Sequence, residues 1–572
     1  MKLVLIFLNK FSKKNFLIFF LLGIFNSFIE ILGISLLLPI FDILLNNEIN
    51  PKFYVLINFL GIESLKTDYL LIIIIGIAIV YFLKMGLSIL IVYYNQVIIE
   101  NLKISIQKKV IQNYFSRSLI SHNEDSIAIQ MRIITGESNS ALYVISTVLS
   151  FFIETLLLFF IGIFLFINFF KITVGTTIIF LSLFIIYYLG FNKKIKETGI
   201  NRIIEENKFY QKIYSSLSIF REIKFLKKEN FFINKILKII FDLKKITLQD
   251  TLINGLIRPF TEFFLIIIIL SALLYSKYYL NLPNGEIIAS IGVFLAALIR
   301  CFPSITKLFL NYQKITFRMK SVEIVNSHLD EISKFEQEKK DNTSYEFNLN
   351  KKINIKNIFF SYKGREQLLN NINFEIHRND YIGILGKNGS GKSTLLDLLT
   401  GLTKPNTGSI LVDDHNINKD VENWQNKIIF LSQKNYLFEE DIISNIVLGE
   451  DIKNINKKRL DQALEISNFA KTIKDFPEGL HTEIGGNNFK LSGGQQKKIQ
   501  IARCFYQITD EKKLIILDEP TDNLDYESRL VFYKNLKKYK NNKTIILISH
   551  ISEDLKICDK IFDLDKNILK II

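Results

Sequence analysis

Residues 380–394 read Asp-Tyr-Ile-Gly-Ile-Leu-Gly-Lys-Asn-Gly-Ser-Gly-Lys-Ser-Thr, and Leu395, Leu396, Leu398 and Leu399 follow at helical spacing. An apolar run, a glycine-rich bend and an apolar-periodic helix in this order predict a buried strand feeding a phosphate-cradling loop at a helix N-terminus. The pattern G-x-x-x-x-G-K-[ST] falls on Gly386, Gly391, Lys392 and Ser393. The loop Gly386, Asn388, Gly389, Ser390, Gly391 turns its N–H groups toward phosphate oxygens, with Thr394 in the first helical turn. Lys392 is expected to reach the β- and γ-phosphates, and Ser393 to hold Mg²⁺. A nucleotide triphosphate with Mg²⁺ is therefore the expected ligand.

Downstream, Leu514-Ile-Ile-Leu517 runs into Asp518 and Glu519, so two carboxylates emerge at the end of a buried strand. Loops at strand carboxyl ends are where open α/β sheets bind ligands. Asp518 is suited to the metal and Glu519 to accepting a proton from an attacking water. Between the two motifs lies Leu491-Ser492-Gly493-Gly494-Gln495, a serine hydroxyl and bare glycine amides at a helix start, which make a second anion-binding surface.

This pentapeptide, with the phosphate loop and the acidic strand end, resembles the signature of the ATP-binding cassette family. The resemblance extends over the chain and implies two cassettes closing on two ATP molecules, hence a homodimer. It implies further roles: Tyr362 stacks on adenine, Gln433 touches Mg²⁺, Asp525 lies in a dimer-contacting loop, and His550 is the switch histidine near the γ-phosphate. Thr482-Glu-Ile-Gly-Gly resembles the exporter-type loop before the signature. The sequence departs from the family pattern at Asn523, where small residues are usual, and at Gln496-Lys-Lys, which replaces the commoner Lys-Gln-Arg.

Upstream, the 572-residue chain changes character. It is 49% hydrophobic with 49 Phe, and its mean hydropathy is positive. Six apolar segments near 16–45, 68–99, 141–170, 172–192, 252–276 and 286–312 reach the roughly 20 residues that cross a bilayer. The first is too long for a cleaved signal peptide. The net charge of +15 fits basic loops beside membrane spans and does not call for nucleic acid. Residues 193–250 carry 14 Lys/Arg against 7 acids, whereas 46–67 has only Lys52 and Lys66, so the basic loops and both termini are placed on the cytoplasmic side. Three scattered cysteines, Cys301, Cys504 and Cys558, form neither a disulfide framework nor a zinc site.

The expected fold is an all-α six-helix transmembrane domain (1–320), a linker (321–349) and an α/β P-loop cassette (350–572). Residues 100–140 and 193–250 are read as helices projecting beyond the bilayer, with coupling helices near 121–125 and 215–220. Because the chain begins almost directly with a span, no peptidase domain is expected ahead of it.

Lys84, Arg258 and Arg300 interrupt spans two, five and six. A charge in lipid costs about 2.5–3.5 kcal/mol on insertion scales, which favours facing a cavity and binding a phosphate or pyrophosphate. The competing reading pairs them with Glu30, Glu154 or Glu262 as structural ion pairs, or has them snorkel to an interface.

Ser-Phe-Ile-Glu (27–30), Ile-Ser-Leu (34–36), Pro39 and the surroundings of Arg258, Arg300 and Pro303 resemble the lipid-linked oligosaccharide flippases of bacterial N-glycosylation. In that group an outer amphipathic helix, matched here by 50–66, handles the polyprenyl tail. The expected activity is ATP-driven export of a polyprenyl-pyrophosphate-linked glycan, with lipid A-type lipids, peptides or hydrophobic drugs as other cargo. A non-transporting ATP-gated regulator or channel is the reading from another class, opposed by the intact Glu519 and signature.

Overall fold

The computed structural model describes residues 13–36, 40, 69–168, 170–279, 284–341, 345–434, 436–451, 454–485, 489–539 and 542–571. The expected outer helix at 50–66 lies outside them. The chain divides into two compact units, Met1–Arg117 with Ser121–Glu336, and Ser118–Ile120 with Gln337–Ile572.

The first unit is helical: α1 (Lys13–Ser35), α2 (Tyr69–Ser116), α3 (Leu119–Glu124), α4 (Ile127–Arg132), α5 (Ser138–Asn168), α6 (Phe170–Ser218), α7 (Phe220–Phe225), α8 (Glu229–Tyr279) and α9 (Asn284–Asp341). Lipid offers backbone groups no partners, so apolar runs of this length satisfy their own hydrogen bonds as helices. Six candidate spans meet the length and composition required to cross a membrane. At 48 residues, α2 is about 72 Å long, far more than a bilayer's hydrocarbon thickness. Ile79 and Phe82 on it are 54% and 70% exposed, as a surface for lipid demands.

Two cores hold these helices. One gathers Leu157, Ile161, Leu183, Ile257, Ile268 and Phe309 from α5, α6, α8 and α9. The other packs Ile98, Leu102, Ile106 and Val110 of α2 with Val144, Ile145, Val322 and Val325. Between α4 and α5 a π-helical turn, Ile133–Glu137, brings the buried Glu137 carboxylate onto the Arg132 guanidinium, which also reaches Glu206 at 3.0 Å.

Two boundaries differ from the sequence reading. The stretch assigned as linker is helical as far as Asp341, because Val322 and Val325, one turn apart, are buried against α2 and α5 and carry α9 onward. The second short helix is α7, Phe220–Phe225, while residues 215–218 still belong to α6. The first short helix, Leu119–Glu124, lies within two residues of the expected place.

The second unit contains ten strands among the described residues. An antiparallel sheet is ordered β2 (Leu369–His377), β1 (Lys352–Phe360), β4 (Thr407–Val412), β5 (His415–Asn416). The larger sheet is ordered β10 (Ile568–Ile571), β9 (Lys560–Asp563), β3 (Tyr381–Leu385), β8 (Thr544–Ile548), β7 (Leu514–Asp518), β6 (Ile428–Leu431) and is parallel except at β10. Strands β7 and β8 are buried at every residue, as expected of a parallel sheet covered on both faces. The register pairs Ile384 and Asp518 with the same residue, Ile548. The phosphate loop after β3, Glu519 after β7 and His550 after β8 therefore leave one sheet end side by side.

Candidate nucleotide site and transmembrane cavity

Helix α10 (Lys392–Leu399) begins at Gly391, whose φ of +97° places it in the left-handed region, and Gly389 has φ +84°. A side chain at either position would be strained. A Cβ at Gly386 would stand 2.6 Å from Ser390 Oγ, so that glycine is set by close packing inside the loop. Lys392 is buried, and its Nζ donates to the carbonyls of Gly386 and Lys387 at 2.8 and 2.9 Å. The ammonium is thus held across the loop it is expected to serve.

Ser393 Oγ donates to Asp518 Oδ2 at 3.1 Å. Burial pushes the Asp518 carboxyl above its ordinary value, and the Ser393 hydroxyl opposes that shift. Gln433 Nε2 donates to Glu519 Oε2 at 2.7 Å, and His550 Nε2 stands 2.5 Å from Glu519 Oε1. Glu519 itself has φ +49°, an unusual conformation for a non-glycine residue, and its N–H donates to Ile548 O. Strand β8 thus fixes the backbone that aims the carboxylate.

A cavity of about 460 Å³ is lined by Lys392, Ser393, Gln433, Glu519, His550 and Tyr362, along with Asn388, Gly389, Gly391 and Thr394. Tyr362 OH lies 3.1 Å from Thr394 Oγ1 and its ring packs edge-on against Phe360. Loop glycines, a buried lysine and a helix N-terminus together fit a nucleotide polyphosphate. The oxygen donors of Ser393, Asp518 and Gln433 suit a hard divalent cation such as Mg²⁺.

Ser492, Gly493, Gly494, Gln495 and Asp525 do not line this cavity. Ser492 instead caps α11 (Gly493–Tyr506): its Oγ accepts from Gln495 N, while Gln495 Oε1 accepts from Ser492 N. Asp525 caps α12 (Tyr526–Leu536) by accepting from the N–H and hydroxyl of Ser528. A Cβ at Gly494 would come within 2.9 Å of Asn523 O, so the signature glycine permits the loop after Glu519 to lie against α11.

Two residues escaped the sequence reading. Asp522 is pushed up to about 6, chiefly by burial and next by its hydrogen bond to Glu519. An acid three residues beyond Glu519 was the available signal. Lys497, in the Gln496-Lys-Lys departure from the family pattern, is completely buried. Burial lowers its pKa, against the attraction of Asp522, Asp518 and Glu519. Sequence charge alone resembles a solvated helix face, and only packing places this ammonium inside.

In the helical unit a cavity of about 320 Å³ is lined by Glu30, Lys84, Glu154, Arg300 and Lys307, among others. Lys84 Nζ lies 2.5 Å from Glu30, Arg300 pairs with the same carboxylate, and Lys307 lies 2.8 Å from Glu154. Arg258 is not part of this lining. It sits on an exposed face and pairs with Glu262 one turn along α8 at 2.8 Å, a spacing that makes the local partner nearest. The three basic residues named from sequence are therefore not gathered in one cavity; Lys84 and Arg300 are, and Lys307 joins them.

Helices of spanning length joined in one chain to a P-loop sheet with paired carboxylates define a multi-pass membrane protein that carries its own nucleotide-binding cassette. The family description "ABC transporter transmembrane region" matches residues 16–300, and "ABC transporter" matches 369–522. The chain belongs to the ABC transporters, with transmembrane and ATP-binding parts fused. Its fold is similar to that of a bacterial Atm1-family ABC exporter with ATP bound, at TM-score 0.77 and 17% identity, covering 96% of this chain and 92% of that one.

The leukotoxin translocation ATP-binding protein LktB of Pasteurella haemolytica-like sp. (strain 5943B) is 37% identical over 216 residues, 37% of this chain and 30% of that protein. The alpha-hemolysin translocation ATP-binding protein HlyB of Escherichia coli O157:H7 is 36% identical over 222 residues, 38% of this chain and 30% of that protein. The chain thus spans under a third of the length of these curated relatives.

Proposed function

We propose that the protein is an ATP-driven membrane transporter that moves a polyprenyl-pyrophosphate-linked oligosaccharide from the inner to the outer leaflet of a bacterial inner membrane. The observation that carries the cargo half is the charged cavity among the spans, where Lys84, Arg300 and Lys307 outnumber Glu30 and Glu154. Excess positive charge in a low-dielectric surround favours an anionic headgroup. A second, apolar cavity of about 400 Å³, lined by Phe151, Leu158, Phe180, Leu298, Cys301 and Phe309, suits hydrocarbon near by.

In the cassette, Tyr362 stacks on adenine and the loop from Gly386 to Thr394 cradles the phosphates. Ser393, Asp518 and Gln433 would hold Mg²⁺, which neutralises phosphate charge when bound. Glu519 accepts the proton of the attacking water, with Gln433 and His550 fixing the direction of its two oxygens. Ser492 to Gln495 and Asp525, outside the lining of their own chain's cavity, serve the cassette of a second copy. The functional unit is a homodimer with twelve spans, both termini and both cassettes in the cytoplasm.

The test is ATP-dependent transbilayer movement of such a glycolipid in proteoliposomes. Wild type moves it; Glu519→Gln fails through hydrolysis, and Lys84→Ala/Arg300→Ala fails while still hydrolysing ATP. ATP consumption by wild type with no movement of the lipid defeats the cargo assignment. Peptide or protein export is the second reading, favoured by relatives named for toxin translocation.

A further inference from the structure

Glu30 is the most constrained charge in the transmembrane cavity. It is 3% exposed on α1, and its two oxygens serve two cations from different helices, Lys84 of α2 and Arg300 of α9. Two positive charges thus share one negative charge, so the pair is underneutralised where water is scarce. A neighbouring pair, Lys307 with Glu154, lines the same space and neutralises itself. Any anionic headgroup that reaches Lys84 and Arg300 must therefore compete with a carboxylate already attached to the protein.

We propose that Glu30 is an internal competitor for the anion site: an anionic headgroup binds Lys84 and Arg300 only by displacing it, and a doubly charged pyrophosphate offsets that displacement better than a singly charged phosphodiester. This rests on the anionic-lipid reading of the cavity given above. A single charge offers the two cations no more than Glu30 does, and it lacks the effective concentration of a tethered group. A second charge neutralises both cations, a gain that grows in low dielectric. The displaced carboxylate meets hydrogen-bonding side chains in the same lining, Asn26, Ser88 and Asn95. Because the bases are free only while Glu30 is away, its presence lowers the apparent affinity for every anion by the fraction of time they are free.

The experiment uses the full-length protein in phosphatidylcholine proteoliposomes with two probes that share tail and sugar, an undecaprenyl-phosphate monosaccharide and an undecaprenyl-pyrophosphate monosaccharide. The readout is the half-maximal lipid concentration for stimulating ATP hydrolysis. In wild type the pyrophosphate lipid acts at a concentration about tenfold lower than the phosphate lipid, one decade corresponding to about 1.4 kcal/mol. Glu30→Gln removes the competitor's charge, so the half-maximal concentration falls about tenfold for both probes and their ratio is kept. Glu30→Asp keeps the charge and the wild-type concentrations.

Wild-type half-maximal concentrations surviving in Glu30→Gln overturn the proposal while leaving the cargo reading intact. A response to neither lipid in wild type and in Glu30→Gln, with basal hydrolysis preserved, overturns the cargo reading and the proposal together. Should Glu30→Gln not fold, Glu30→Asn removes the same charge with a shorter side chain. A fall in both half-maximal concentrations there supports the proposal and unchanged values overturn it.

Discussion

Glu519 Oε1 lies 2.5 Å from His550 Nε2, while its other oxygen accepts from Gln433 at 2.7 Å. The three residues come from loops after three adjacent parallel strands, β7, β8 and β6. The sheet order brings together side chains far apart in sequence. A carboxylate gripped at both oxygens is aimed, which is what a group activating a water requires.

Replacing Glu519 by Gln therefore removes the proton acceptor and preserves the volume. ATP hydrolysis falls by about 10²–10⁴-fold, the usual contribution of general base catalysis, and ATP binding persists. Parallel assays of nucleotide binding and phosphate release check this; wild-type turnover in the variant would remove Glu519 from the chemistry.

Lys392→Ala acts on binding. The ammonium held over the loop by Gly386 and Lys387 carbonyls is the charge nearest the expected phosphates. Loss of a charged hydrogen bond, about 1.5–3 kcal/mol, weakens ATP binding roughly 10- to 100-fold in equilibrium titration.

Gly494→Ala tests the approach of α11 to the loop carrying Asn523, since the added Cβ would meet a backbone oxygen that no rotamer change can move aside. Hydrolysis falls as the loop following Glu519 shifts. Nucleotide affinity of the isolated chain changes little, because Gly494 lies outside its cavity.

Asp522 links this cluster to pH. Its carboxyl is raised from 3.8 to about 6, first by burial and then by Glu519. Between those values the folded state binds more protons than the unfolded chain, so stability falls as pH rises through this window and stays lower above it. Asp522→Asn abolishes that dependence. Thermal unfolding of the detergent-solubilised protein, compared at about pH 4.5 and 7, shows the smaller change in the variant.

The legible parts of the chain were those governed by local rules. The glycine spacing at 386–391 requires left-handed backbone, the apolar runs require helices, and both were readable residue by residue. The end of α9 was not, because the polar stretch after Phe317 is held helical by Val322 and Val325 packing on other helices. The burial of Lys497 was not legible for the same reason: it comes from what surrounds α11, not from its neighbours in sequence.

By itself the sequence determined the two-part architecture and the chemistry of the nucleotide loop, since span length and phosphate cradling depend on short-range patterns. Tertiary structure alone decided which charges meet. It separated Arg258 from Lys84 and Arg300, added Lys307, and set Glu30 between two cations. Electrostatic interaction depends on distance and local dielectric. Residues 30, 84 and 300 acquire both only when their helices pack.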